Sequence, residues 1–162
     1  MSENKEAIFD ESGGKFLTFI CGDREYGIQI MEAREVVKMM EIDPVPQTPD
    51  FMKGIINLRG RIIPVIDLRQ KFNLREYEKT AESCILVTDI KGKLTGAVID
   101  QLVGVVTIEE KEFEESPDLG ANINTEFIRG IAKLEKRVII ILNMKKVLSN
   151  EELIEPRQEK AS

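Results

Sequence analysis

The feature that most constrains the fold of this chain is an internal repeat. Residues 51–72 match residues 127–148 without a gap, at a shift of 76 positions. At this shift Asp67 falls on Asn143, and most of the apolar positions fall on apolar positions. Self-similarity on this scale indicates that one structural unit occurs twice, so each unit must fold within about half of the chain.

The segments that precede these two blocks also match, but at a shift of 69. Residues 26–30 lie over residues 95–99 at this second shift. The difference of seven residues between the shifts predicts an insertion in the acidic loop 109–126. The repeat therefore predicts two units, residues 15–74 and residues 83–148.

Together the two units predict a domain that covers residues 15–150. A charged connector, residues 75–80, joins them, and the flanking segments 1–14 and 151–162 are acidic tails. Whether the N-terminal strands are exchanged between the units stays open at this point.

Each unit is predicted to be a small β-barrel. Tyr26, Ile28 and Ile30 alternate with more polar or smaller residues, the period of a half-buried strand. Arg59-Gly60 lies between two apolar runs and predicts a tight hairpin turn, where glycine can adopt a positive φ. Four or five short strands in about 60 residues are typical of a small barrel. Two copies predict a mainly β double barrel.

A short helix is predicted at the end of each unit. Asp67 and Asn143 are residue types that cap helix N-termini well. The predicted helices are residues 68–72 and 144–148, so helix content is low and the fold class stays mainly β.

Composition excludes most enzyme classes. The chain has no histidine, which removes Ser-His and Cys-His nucleophilic systems and histidine metal ligands. Phosphate-binding and dinucleotide-binding glycine motifs are also missing. Asp67 and Asp100 could suggest an aspartic dyad, but Leu68 and Gln101 are too large for two acids to approach, and the two Asp occupy non-equivalent repeat positions. We therefore predict no catalytic residue, no metal and no cofactor.

Charge and hydropathy limit the kinds of binding partner and the cellular compartment that the chain is expected to have. The net charge is −6 and tryptophan is absent, which argues against a nucleic-acid interface. No apolar run reaches the ~18 residues of a membrane span, so no direct membrane insertion is expected. Cys21 and Cys84 lie in apolar stretches and predict buried, reduced thiols. These features predict a cytoplasmic protein.

The two copies differ at their hairpin turns. The first copy has Asn57-Leu58-Arg59-Gly60, whereas the second has Lys133-Leu134-Glu135-Lys136. Arg59 is either a solvated turn residue or an arginine that donates hydrogen bonds to a partner helix. Likewise, Glu35 is either an ordinary surface charge or part of the same contact surface.

Residues 57–69, Asn-Leu-Arg-Gly-Arg-Ile-Ile-Pro-Val-Ile-Asp-Leu-Arg, resemble the signature of the CheW family of bacterial chemotaxis coupling proteins. The similarity extends over roughly residues 15–150. It implies two five-stranded Src-homology-3-like barrels around a shared core. It also implies an adaptor that couples the histidine kinase CheA, through its regulatory domain, to the cytoplasmic tips of methyl-accepting chemoreceptors. The protein would then be recruited to membrane receptor arrays.

The resemblance also implies two sets of site residues. The receptor-binding set comprises Arg59, Asn57, Leu58, Gly60, Glu35, Val36 and Ile30. The kinase-binding set comprises Cys84, Gly96, Ile99, Asp100 and Leu102. Residues 94–106 support the second set independently, because they are apolar on both sides of the predicted strands.

A regulatory barrel that binds a small molecule at the seam is the alternative function. Such a site would need several convergent polar residues in apolar surroundings, and the sequence offers only Asn57 and Arg59.

Overall fold

The computed structural model describes residues 9, 13–72, 81–115 and 125–148, and β-strands dominate this part of the chain. The strands are β1 (Gly14–Cys21), β2 (Arg24–Gln29), β3 (Ala33–Lys38), β4 (Met52–Leu58), β5 (Arg61–Asp67), β6 (Cys84–Ile90), β7 (Lys93–Ile99), β8 (Gln101–Ile108), β9 (Phe113–Glu115), β10 (Ile128–Leu134) and β11 (Arg137–Leu142). Two one-turn helices, α1 (Leu68–Lys71) and α2 (Met144–Val147), follow β5 and β11. The predicted mainly β fold is confirmed.

The strands form two sheets. One sheet has six strands in the order β8-β1-β2-β11-β10-β9, and the other has five in the order β3-β6-β7-β5-β4. The sixth strand of the first sheet is β9, which is only three residues long. An isolated bridge between Asp43 and Ile55 adds the chain that follows β3 to the outer side of β4.

Each sheet takes strands from both copies of the repeat. β1 and β2 precede β3 in the first copy, yet they pair with β8 and β11 of the second copy. In the same way, β6 and β7 of the second copy pair with β3 and β5 of the first. The exchange is therefore reciprocal, and neither copy forms a sheet without strands of the other.

A shared core lies between the sheets, and each sheet has a smaller cluster of its own. The shared core combines residues such as Phe19, Ile28, Leu86 and Ile99, none of which is exposed. The six-stranded sheet encloses a cluster around Phe16, and the five-stranded sheet encloses one around Ile85 and other aliphatic residues. Because the two sheets contribute to one core, they form a single packed unit.

Local sequence signals account for the starts of the two short helices. The Asp67 carboxylate accepts a hydrogen bond from the Arg69 backbone N–H at 2.9 Å, and the Asn143 side chain accepts one from the Lys146 N–H at 3.2 Å. Both predicted N-caps are thus confirmed.

Cys21 and Cys84 are free thiols, buried and half-buried respectively. Burial raises the pKa of the Cys21 thiol to about 12, which keeps it protonated.

The N-terminal segment differs in one respect from the expected tail. Phe9 is buried, with 9% of its surface exposed, in the cluster of the six-stranded sheet. The rest of segments 1–14 and 151–162 lies largely outside the described residues, as do connector 75–80 and residues 116–124 of the acidic loop.

Candidate interaction surfaces

The β4–β5 hairpin presents Arg59 at its tip. Leu58 pairs with Arg61, so the turn has two residues, Arg59 with φ 51° and Gly60 with φ 88°. Two successive positive φ values define the hairpin turn whose twist matches the flanking strands. The Asn57 side chain accepts a hydrogen bond from the Gly60 N–H at 2.9 Å. Asn57 therefore stabilises the turn, and Gly60 supplies its conformation.

Arg59 forms an ion pair with Glu35 of β3. β3 and β4 are the two outer strands of the five-stranded sheet. The pair therefore joins opposite edges of that sheet, which requires the sheet to curl toward a barrel. Two thirds of the Arg59 side chain is exposed, compared with 31% for Glu35. Guanidinium N–H groups thus face both Glu35 and solvent.

The other predicted receptor-binding residues surround this pair at different depths. Val36 is partly buried against the shared core, and Leu58 is partly buried against the cluster of the five-stranded sheet. Ile30 lies in a 3-10 turn between β2 and β3, with 38% of its surface exposed. The neighbouring Met31 is 77% exposed, and the sequence interpretation did not single it out.

The predicted kinase-binding residues divide into a buried group and an exposed strand. Ile99 has no exposed surface, and Gly96 is buried in the middle of β7. A Cβ atom on Gly96 would lie 2.9 Å from Ile85 Cγ2, so no larger side chain fits there. Cys84 pairs with Ile99 and is half-buried. Ile99 and Gly96 lie inside the protein, so neither residue is available for direct contact with a partner.

Asp100 lies between the two groups and is held by Arg69. The Asp100 Oδ2 atom lies 2.5 Å from Arg69 Nη2 and 3.2 Å from Arg69 Nε. It also accepts a hydrogen bond from the Gly22 N–H at 2.8 Å. Both side chains are only 12% exposed. The hydrogen bonds to Asp100 raise the pKa of the Arg69 guanidinium, which therefore stays charged. The contacts of Asp100 link α1, the β1–β2 turn and the start of β8.

Leu102 lies near the start of β8, an outer strand of the six-stranded sheet. Leu102, Val103 and Val105 are 39%, 46% and 60% exposed. β8 contains no charged residue along its length, whereas β3, its equivalent in the repeat, contains Arg34, Glu35 and Lys38. Charges on an edge strand discourage pairing with other chains. β8 therefore presents an uncharged outer strand with three exposed apolar side chains.

The described ranges contain no group of three or more Cys, Asp or Glu side chains that could hold a metal ion. Within the same ranges, no helix has the length and hydropathy needed to cross a bilayer. Asn57 and Arg59, the polar residues considered for a small-molecule site, both lie exposed at the hairpin turn.

A double sheet with a charged hairpin tip on one sheet and an apolar edge strand on the other defines a protein-interaction module. The comparisons with known proteins identify its family. The profile of the CheW-like domain family matches residues 15–152. The chain therefore belongs to the CheW family of chemotaxis scaffold proteins, which are not enzymes.

Individual relatives agree with this assignment. The chain is 33% identical to the chemotaxis protein CheW of Klebsiella aerogenes over 141 residues, which cover 87% of this chain and 85% of that protein. It is 34% identical to the Bacillus subtilis chemotaxis protein CheW over 142 residues, covering 87% and 90% of the two chains. The crystal structure of the scaffolding protein TtCheW from Thermoanaerobacter tengcongensis is 35% identical, with a TM-score of 0.80 over 89% of this chain and 98% of that one.

Proposed function

We propose that this scaffold protein couples the histidine kinase CheA to methyl-accepting chemoreceptors. The observation that carries the proposal is the presence of two chemically different exposed surfaces on different sheets. One is the charged Arg59–Glu35 pair on the five-stranded sheet, and the other is the uncharged strand β8 on the six-stranded sheet. Since the sheets share a core, both surfaces can be occupied at once while their spacing is kept.

The receptor surface is proposed around Arg59. An exposed arginine has five N–H donors in a fixed planar arrangement, which suits the carboxylates and carbonyl oxygens of a helical tip. Glu35 already binds part of the guanidinium and holds it near the strand edge. Receptor binding would add partners to the exposed N–H groups or replace Glu35. Ile30, Val36 and Leu58 would supply apolar contacts beside the charged pair.

The kinase surface is proposed on β8, with Leu102 as the contact from the predicted set. Val103 and Val105 extend the same exposed strand. Gly96 and Ile99 would act from inside the protein, through the packing of β7, and Asp100 would position the start of β8 through Arg69. Through both surfaces the protein would be recruited from the cytoplasm to membrane receptor arrays.

The experiment is reconstitution of receptor-containing membranes, CheA and this chain, followed by kinase autophosphorylation. Wild-type chain is expected to raise kinase activity only when receptors are present. Separate pull-downs with the receptor tip and with the CheA regulatory domain measure each contact alone. Failure of the chain to bind either partner would contradict the proposal.

A further inference from the structure

The site that holds the Asp100 carboxylate has an equivalent in the other half of the molecule. The repeat relates the start of α1 to the start of α2, and the β1–β2 turn to the β6–β7 turn. The residues that stand at the positions of Arg69, Asp100 and Gly22 in the second half are Lys145, Met31 and Lys91. We call these three residues the lysine site. It lacks the carboxylate of the first site and has an additional cation in place of the glycine.

The backbone of the lysine site follows that of the Asp100 site. Gly22 has φ 68° and Lys91 has φ 53°, so the two turns start with the same left-handed conformation. Ile90 and Met144, which precede the two lysines, both pack in the shared core. The turn and the helix that carry the lysines are therefore anchored on the same core.

The lysine site has positive charge and no acid of its own. Among the described residues, neither Lys91 nor Lys145 forms an ion pair with a carboxylate. Lys91 lies beside Lys145 and lowers the pKa of its ammonium group, and the charges of Lys146 and Arg129 act in the same direction. Because adjacent ammonium groups repel each other, a carboxylate that lies between them is favoured.

The position of the missing carboxylate is open to solvent. Met31 is 77% exposed, whereas the Asp100 side chain is 12% exposed. Glu32, the acid next to Met31, is largely buried and turned toward Arg129, with its Oε2 atom 3.8 Å from Arg129 Nη2. An acid that fills the lysine site as Asp100 fills the first site can therefore approach from outside.

The lysine site adjoins the proposed receptor surface. Met31 follows Ile30 in the 3-10 turn that leads into β3, the strand of Glu35. Arg34 of β3 is paired with Asp89 at 3.3 Å, and the Asp89 side chain also accepts a hydrogen bond from a backbone N–H of the β6–β7 turn. One continuous surface thus joins β3, the 3-10 turn and the turn that carries Lys91.

We propose that the lysine site binds a carboxylate of the receptor tip, in the position that Asp100 occupies in the equivalent site. The proposal rests on the coupling function proposed above. Lys91 and Lys145 pair with an aspartate or glutamate side chain of the receptor, and Met31 packs against an apolar residue beside that acid. The receptor surface then extends from Arg59 to α2.

Met31→Asp in the full-length chain supplies the carboxylate from within. The new side chain is expected to occupy the lysine site as Asp100 occupies its own, to preserve the melting temperature, and to weaken binding of the receptor tip at least about tenfold. Lys145→Glu is expected to weaken it at least as much, because it repels the incoming acid. Titration calorimetry measures both affinities. Binding of the CheA regulatory domain is expected to stay at the wild-type strength.

Lys136→Glu is the matched control, since it changes the net charge as Lys145→Glu does, at an exposed turn elsewhere. It is expected to bind the receptor tip as wild type does. Nuclear magnetic resonance of the Lys145 ammonium gives a second measurement. Its pKa is expected to lie below the ordinary lysine value in the free chain and to rise when the receptor tip binds, and Met31→Asp is expected to raise it without receptor.

Four outcomes would overturn the lysine site. Wild-type receptor binding by Lys145→Glu, beside weakened binding by Arg59→Ala, would remove the site and leave the proposed function standing. Absence of receptor binding by the unmodified chain would remove both. Equal weakening by Lys136→Glu would reduce the effect to net charge. A Lys145 pKa that falls in free Glu151→Gln would show that the acidic C-terminal tail already occupies the site.

Discussion

Arg59 and Glu35 are separated by 24 positions in the sequence and lie at opposite edges of the five-stranded sheet, yet their side chains form an ion pair. The pair closes the curled sheet and leaves most of the arginine exposed. An exposed ion pair contributes only about 0.2–1 kcal/mol to stability. Arg59 is therefore available for binding at small cost to the fold.

Arg59→Ala is expected to retain its melting temperature within about 2 °C and its affinity for the kinase, and to lose receptor-dependent kinase activation. Arg59→Lys keeps the charge but loses the planar set of donors, so activation is expected to fall to an intermediate level. Arg59→Glu would repel Glu35 and should be the most damaging. Thermal unfolding beside the reconstituted kinase assay measures both properties.

Arg61→Ala, an exposed arginine of the same hairpin, is the control for Arg59 and is expected to behave as wild type. A large drop in the melting temperature of Arg59→Ala would make Arg59 a structural residue. Full receptor coupling in that variant would exclude it from the receptor surface.

Leu102→Asp is expected to fold and to bind the CheA regulatory domain at least about 30-fold more weakly, because a carboxylate in the centre of an apolar interface costs on the order of 2 kcal/mol. Titration calorimetry measures the affinity, and circular dichroism checks the fold. Val138→Asp, at another exposed apolar residue of the same sheet, is the control. Normal kinase binding by folded Leu102→Asp would show that β8 is not the kinase surface.

Ile99→Asp has a different expected outcome, since Ile99 is fully buried. An unpaired carboxylate in the shared core should unfold the protein or lower its melting temperature by more than about 10 °C. The variant therefore tests packing and not the interface. A folded Ile99→Asp protein of normal stability would contradict the position of β7 in the core.

Arg69→Ala is expected to destabilise the protein by about 3 kcal/mol, because it leaves the Asp100 carboxylate, 12% exposed, without its guanidinium partner. Urea unfolding measures the loss. The double variant Arg69→Met with Asp100→Leu removes both charges and should be markedly more stable than Arg69→Ala. Equal stability of the two variants would show that the pair is weakly coupled.

Asp67→Asn tests the effect of burying a carboxylate at the α1 N-cap. Burial raises the pKa of Asp67 above its ordinary value of 3.8, so the folded protein binds the proton more tightly than the unfolded chain does. The ionised group therefore reduces stability, and the reduction develops as pH rises from about 3.8 through the higher folded-state pKa. Asparagine keeps the cap without the charge, as Asn143 does in the second copy.

Relative to wild type, Asp67→Asn is expected to gain stability as pH rises through that window and to keep the gain at pH 7. Urea unfolding from pH 3 to pH 7 measures the difference. Asp67→Ala, which lacks the cap, is the control and should lose about 1 kcal/mol. A difference between Asp67→Asn and wild type that does not change with pH would contradict the raised pKa.

Local patterns predicted much of this protein. The alternation around Tyr26 and Ile28, the Arg59-Gly60 turn, and the caps at Asp67 and Asn143 depend on residues close together in sequence. The repeat added the number of units, because matching apolar positions imply matching folds. The signature at residues 57–69 then indicated the family. These signals are local or periodic, and both kinds of pattern are visible in the sequence without knowledge of the fold.

The tertiary structure alone decided which strands are neighbours. An apolar pattern shows that a strand is buried but not which strand lies beside it, so the repeat could not show that β1 and β2 pair with strands of the second copy. The continuous apolar run of β7 fits either a covered interior strand or an exposed interface, and burial on both faces made Ile99 a core residue. Phe9 follows Ala7 and Ile8 in an otherwise acidic segment, and its burial depends on contacts with the rings of Phe16 and Phe113. Packing volume depends on side chains far apart in the chain, so only the folded structure determines it.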